Sequence, residues 1–126
     1  MGKCIWEING DFSETNRLRD FDRKHPKEYA SCFMNLKKVV GLLESLGQPG
    51  AFHIGFFRSE GGNVWRIGQT GVRHGCETRL YVYVYVKGLT VYVLTIGDKS
   101  QQKQDIQRCK DLAKAIAERD DNECKK

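Results

Sequence analysis

A chain of 126 residues, 40% hydrophobic and 29% charged, is long enough for one domain with a real core and too short for two ordinary ones. That composition excludes wholesale disorder, and no apolar run approaches the roughly 20 residues a membrane-spanning helix requires. The net charge of +5 is unevenly placed: residues 51–99 carry six Lys or Arg against three acids, whereas 1–50 carry eight against seven and 100–126 carry seven against six.

The start, Met1 to Trp6, lacks the apolar segment of a signal peptide and the Ser or Thr of a myristoylation signal, so cytoplasmic residence is expected. Lys3 to Ile8 alternates Cys4, Trp6 and Ile8 against Lys3, Ile5 and Glu7, the pattern of a short strand. Ser13 can cap a helix to about Asp22 that buries Leu18 and Phe21. A longer helix starts at Pro26 and carries Tyr29, Phe33, Leu36, Val40 and Leu43 on one stripe, widened by Cys32, Val39 and Leu46, until Gly47 ends it. The two helices should form a hairpin over the sheet's aliphatic face. Ala51 to Arg58 and Val64 to Ile67 read as strands around a turn at Ser59 to Asn63. Gly68 to Cys76, rich in glycine and polar residues, is expected as a mobile loop carrying Arg73 and His74.

From Leu80 to Val86 the chain alternates. Leu80, Val82, Val84 and Val86 fall on one face and Arg79, Tyr81, Tyr83, Tyr85 and Lys87 on the other. Lys87-Gly88 turns the chain into a partner strand, Leu89 to Ile96. Gly97 to Ser100 breaks the sheet, and Asp98 or Ser100 can cap a helix whose apolar positions are Ile106, Cys109, Ala113, Ile116 and Ala117. Glu118 to Lys126 is charged and expected to fray. Five cysteines with no CxxC pair, two of them on helical stripes, read as buried hydrophobes, and no metal is expected because no Cys or His pair has zinc spacing. Cations concentrated on a sheet with few acids point to an anion-binding surface, which makes nucleic acid a reasonable partner.

The order strand, helix, helix, antiparallel strands, helix resembles the RelE/ParE toxin superfamily. Val64-Trp65-Arg66-Ile67, Thr78-Arg79-Leu80-Tyr81-Val82-Tyr83, Val91 to Gln102 and Asp105-Ile106 resemble its HigB-like addiction module killer branch, with a Tyr-Arg-hydrophobic-Tyr strand, a Gly-Asp-Lys-Ser turn and an Asp-Ile helix start. The resemblance covers residues 64 to 117 well and the N-terminal helices by pattern. It implies an α+β, RelE-like single domain over 1–126, with an N-terminal strand and helical hairpin packed on an antiparallel sheet of three to five strands, and a C-terminal helix. It also implies the toxin of a type II toxin-antitoxin module, held in check by a cognate antitoxin, that cleaves mRNA on the ribosome without a metal or small-molecule cofactor. Cleaving members often place a Tyr or His just after the last strand; residues 97–110 contain neither. A same-fold toxin acting on a protein such as DNA gyrase, and a non-catalytic RNA-binding or phage accessory protein, are the alternatives.

Metal-free RNA cleavage requires a deprotonated 2′-hydroxyl, a stabilised phosphate and a protonated leaving oxygen. Arg79 stands where the family places the arginine that meets the scissile phosphate, and a guanidinium can grip phosphate through two parallel hydrogen bonds. Its plainer reading is a surface arginine against Tyr81 or Glu77. Arg66 and Arg58, on neighbouring strands, can extend the phosphate surface or be ordinary solvated arginines. Lys99 matches the family turn and could place a charge near the leaving group or order the helix start. His74 is favoured over His53 for acid-base work, since His53 lies among aromatic and aliphatic residues; Glu60 is a further base. Arg73 in the loop and Tyr81 and Tyr83 on the strand are expected to contact RNA, with tyrosine faces stacking on unpaired bases and Tyr85 in packing; the plainer reading of such a stripe is cross-strand packing beneath a helix or an antitoxin.

Overall fold

A computed structural model describes residues 5–73 and 75–124, with side chains through Arg119. The elements in chain order are β1 (Glu7–Asn9), α1 (Thr15–Lys24), α2 (Pro26–Leu46), a 3-10 turn (Pro49–Ala51), β2 (Phe57–Gly61), β3 (Val64–Gly68), β4 (Thr78–Tyr85), β5 (Thr90–Asp98), a second 3-10 turn (Lys99–Gln101) and α3 (Gln102–Cys124). The five strands make one sheet in the order β1-β5-β4-β3-β2. The expected sheet was wholly antiparallel; instead β1 runs parallel to β5, so the α+β fold has a mixed sheet. The reason is topological. The α1–α2 hairpin and the β2–β3–β4 meander separate these strands, and a long crossover can deliver β1 in the parallel sense that no short hairpin permits.

The period-two alternation of β4 divides the core. On the aliphatic face, Leu80, Val82 and Val84 meet Ile96, Val93 and Val91 of β5 in register and are covered by Cys32, Leu36, Val39 and Leu43 of α2 and Leu18 of α1. This is the expected helical hairpin. On the other face Tyr81 and Tyr83, with Tyr92 and Leu94, lie beneath Cys109, Ala113 and Ile116 of α3. The phase of β5 shifts at Leu94, because Tyr81 pairs with Thr95 while Val82 pairs with Val93. That one-residue bulge lets both Val93 and Ile96 face the aliphatic side. The bulged Leu94 carbonyl accepts from the Glu14 N–H at 2.8 Å, so the irregularity also fixes the entry to α1.

α2 follows the sequence expectation from Pro26 to its left-handed cap Gly47 (φ 86°), a conformation that favours glycine. Boundaries differ where the turn is narrower than its polar, glycine-rich composition suggests. Phe57–Gly61 pairs with β3, so Ser59 and Glu60 belong to a strand and the turn narrows to Gly62 and Asn63. Ala51 to Phe56, expected as strand, is instead a 3-10 turn and a connection bearing an isolated bridge at Ile54. Phe57 itself stacks between Phe52 and Trp65, with ring centroids at 5.6 and 4.3 Å. α3 stays helical through Cys124, past the residue where fraying was expected. Among the described residues no helix is long and apolar enough to cross a membrane.

Candidate anion-binding cleft

β3 and β4 pair Arg66 with Tyr81 and Gly68 with Arg79, while β2 sets Arg58 opposite Arg66. Cross-strand partners share a face, so the period of the sheet carries three guanidinium stems to one end of it. Arg58, Arg66 and Arg79 all line a cleft of about 350 Å³, together with Gly55, Phe56, Gly68, Gln69, Gly75, Glu77 and Thr78. Glu77 is the only acid among these described lining residues, against three arginines. Arg58 is exposed, Arg66 is half-buried and Arg79 is 8% exposed.

Arg79 is held from two sides. Its Nη2 donates to Glu77 Oε1 at 3.0 Å and its Nη1 donates to Gln102 Oε1 at the start of α3. Its register partners are glycines on both sides, Gly68 on β3 and Gly97 on β5. No neighbouring strand side chain therefore competes for the space over its stem. Arg66 Nε lies 3.4 Å from Glu60 Oε1, which offsets part of the repulsion from Arg58 across the strand pair. Like charges directly opposite in a sheet destabilise it, so the Arg58/Arg66 pair is a local cost that an incoming anion would relieve.

The remaining expected site residues are placed elsewhere. Lys99 is exposed and lines a separate hollow at the start of α3, so it does not join the arginines. Arg73 belongs to a groove of about 580 Å³ against α2, where Lys27 and Lys38 add two more cations. His74 lies outside the described residues. His53 is exposed and does not line the cleft. Tyr81 is 0% exposed and Tyr83 5%, which corrects their expected role: the face that would meet a base is covered by α3. Burial also pushes the Tyr81 phenol well above its usual range, and its hydroxyl has no hydrogen-bond partner among the described residues. Tyr85 packs at the margin of the same cluster, as expected.

The expected mobile loop is tied to α2 at both ends. Ser31 Oγ donates to the Thr70 carbonyl and accepts from its N–H, both at 2.8 Å, and Asn35 Nδ2 donates to the Gly68 carbonyl at 2.8 Å. At the far end the Cys76 N–H donates to Glu28 Oε2 at 3.3 Å, and the Thr78 N–H donates to Gln69 Oε1 at 2.9 Å. The cleft wall is thus anchored to the helical hairpin.

A second ionic cluster lies at the start of α3 and was not singled out from the sequence. Asp105, fully buried, accepts from Arg17 through both oxygens at 2.6 and 3.0 Å and from Arg108 at 2.9 Å, and Arg108 also donates to Glu14 at 3.0 Å. β1 pairs only with residues 90–92 of β5, so Arg17 of α1 can pass the uncovered part of that edge to reach α3. Gly97 makes the passage possible, because a Cβ there would stand 2.5 Å from Asp105 Oδ2 and 2.7 Å from Arg17 Nη2. The sequence did hold a signal. Asp105 lies four residues before Cys109 on the buried stripe, where a lone charge requires partners. Comparison with known proteins returned no matching family model, no matching curated protein and no matching solved structure.

Proposed function

We propose that this chain is a RelE-like, HigB-type toxin of a type II toxin-antitoxin module. It engages mRNA on the ribosome through the arginine cleft and cuts it by attack of a 2′-hydroxyl on the adjacent phosphate. The observation that carries the reading is the convergence of Arg58, Arg66 and Arg79 on one cleft with a single acid among its described lining residues. A cleft lined by cations on low-dielectric walls concentrates an anionic substrate. Arg79 is oriented by Glu77 and Gln102 before any ligand arrives, which suits a group that must meet charge developing on a phosphate. In the step itself the 2′-oxygen bonds to phosphorus and its proton passes to the cleft carboxylate Glu77. The bond to the 5′-oxygen breaks, and that oxygen takes a proton from solvent, leaving a 2′,3′-cyclic phosphate. A cognate antitoxin covering the cleft would block the reaction in the cytoplasm.

One observation favours a second reading, binding without cleavage. The described cleft lining contains neither imidazole nor phenol, and the tyrosines of β4 are closed off. A same-fold toxin directed at a protein such as DNA gyrase, or a non-catalytic RNA-binding or phage accessory protein, would need no acid-base pair.

Expression of the chain in a translating extract, with mapping of mRNA ends, separates these readings. New 2′,3′-cyclic ends inside coding sequence, lost in Arg66→Ala, are expected. Arg66→Ala is preferable to Arg79→Ala because Arg79 also holds the start of α3. Intact mRNA with altered DNA supercoiling would indicate a gyrase-directed toxin. Intact mRNA together with RNA binding whose salt slope falls by about 1 in Arg58→Ala would indicate a binder alone.

A further inference from the structure

We propose that His25, Glu28 and Cys76 form a binding site for a zinc-class divalent ion that clamps the 69–77 loop to α2. His25 Nδ1 lies 3.3 Å from Glu28 Oε2, Cys76 Sγ lies 3.6 Å from the same oxygen, and the three donor atoms all fall within 4.8 Å of one another. Zinc bonds of about 2.0–2.2 Å to nitrogen and oxygen and about 2.3 Å to sulfur, set at tetrahedral angles, put N and O roughly 3.4 Å apart and S and O roughly 3.6 Å apart. Two of the three separations match these edges; the third, His25 Nδ1 to Cys76 Sγ, lies within 4.8 Å, and turning the thiol or the imidazole toward the ion closes it to the roughly 3.6 Å of a tetrahedral edge.

The chemistry of the donors agrees. One imidazole, one carboxylate and one thiolate suit zinc or cobalt and not magnesium or calcium, and three protein ligands leave a fourth position for water. His25 stands at the N-cap position of α2 and Glu28 lies three residues on, so the first turn of the helix presents both on one side. Glu28 is only 8% exposed, and a buried carboxylate requires compensation that a divalent cation supplies more fully than hydrogen bonds from Cys76. The loop is drawn tightly onto this carboxylate. A Cβ on Gly75 would lie 2.8 Å from Val72 Cγ1 and 3.2 Å from Glu28 Cδ. The ion would therefore hold the segment that supplies Gln69, Gly75 and Glu77 to the arginine cleft, without touching an arginine. The site is structural and does not rest on the toxin reading.

Titration of the full-length, metal-free protein with Co²⁺, in a Cys4→Ser/Cys124→Ser background that removes the terminal thiols, tests the proposal. One equivalent should produce intense visible bands of tetrahedral cobalt and a near-ultraviolet thiolate-to-cobalt band, both erased by Zn²⁺, and zinc should raise Tm. Cys76→Ser should lose the thiolate band, and Cys76→Ser and Glu28→Gln should each weaken binding at least about tenfold. Circular dichroism checks that both variants fold; if Glu28→Gln does not, His25→Gln replaces it with the same expected loss. A folded parent that gives no spectrum at one equivalent, or cobalt bound equally well by Cys76→Ser, overturns the site.

Discussion

Replacing Asp105 with asparagine tests whether the α1–α3 ion cluster holds the fold together. The substitution keeps the shape and removes the charge from a carboxylate that is 0% exposed and accepts from Arg17 at 2.6 and 3.0 Å and from Arg108 at 2.9 Å. Removing one partner of a fully buried pair costs about 3–5 kcal/mol. Here Arg17 and Arg108 keep 25% and 42% of their side-chain surface in water, and Arg108 retains Glu14, so the loss should fall near about 2–3 kcal/mol. For a domain of this size that corresponds to a Tm decrease of roughly 6–15 °C. Urea unfolding followed by circular dichroism should show a lower midpoint with an unchanged slope. A double-mutant cycle with Arg17→Met should return a coupling of at least about 1 kcal/mol. An Asp105→Asn loss below about 0.5 kcal/mol, the range of ordinary surface changes, would refute the reasoning.

Gly97→Ala should lower stability by about 1–3 kcal/mol in the same urea assay, because its Cβ would collide with Asp105 Oδ2 and Arg17 Nη2, and a wild-type midpoint would contradict the close approach. Tyr81→Phe removes a buried hydroxyl without a partner among the described residues, so its Tm should stay level or rise, and RNA affinity should not change; a drop in affinity would return Tyr81 to the binding surface. Asp98→Ala removes the cap of the second 3-10 turn, where Oδ1 accepts from the Ser100 N–H at 2.9 Å and hydroxyl at 2.5 Å, and should cost about 1 kcal/mol near neutral pH. The Ser100 hydroxyl, outweighing burial, holds the Asp98 carboxyl below its usual range, so the fold favours the ionised form. Its contribution is complete above the ordinary carboxylate range and is lost as pH falls through the lower folded value, so the gap between Asp98→Ala and wild type should close below about pH 4. Burial pushes the Cys32 and Cys109 thiols up to about 12, and a disulfide reagent should label at most three of the five cysteines in native protein.

The elements that carry strong periodicity were legible in the sequence. α2 announced itself through Pro26, its apolar stripe and Gly47, and β4 through strict alternation of aliphatic and aromatic residues. What failed to show was set by distant partners. Whether β1 lies parallel or antiparallel depends on the path of an entire crossover, to which no local residue testifies. Gly68 to Cys76 has loop composition, yet Ser31, Asn35 and Glu28 fasten it from a helix some 40 residues away in sequence. The bulge in β5 was written in the chain, since Val91 and Val93 keep one phase and Ile96 takes the other, but a run of β-branched residues hides such a slip. The arginine cleft was foreseeable because register follows from period two, whereas Lys99 follows a turn whose direction the sequence does not fix.

The face of β4 that begins with Arg79 and continues through Tyr81 and Tyr83 changes function along its length, and the start of α3 decides where. Alternation assigns all three side chains to one side without indicating what covers that side. α3 starts at Gln102, and its buried residues Asp105, Cys109, Ala113 and Ile116 advance along the sheet from there. Tyr81 and Tyr83 fall under the helix body and become core. Arg79 falls at its first residue, where Gln102 can bind the guanidinium while its side chain still lines the cleft. The Arg17–Asp105 pair fixes the position of that first turn, so the cluster at Gly97 governs how far Arg79 is covered. A substitution there reaches the cleft through the helix, even though none of its atoms touches a ligand.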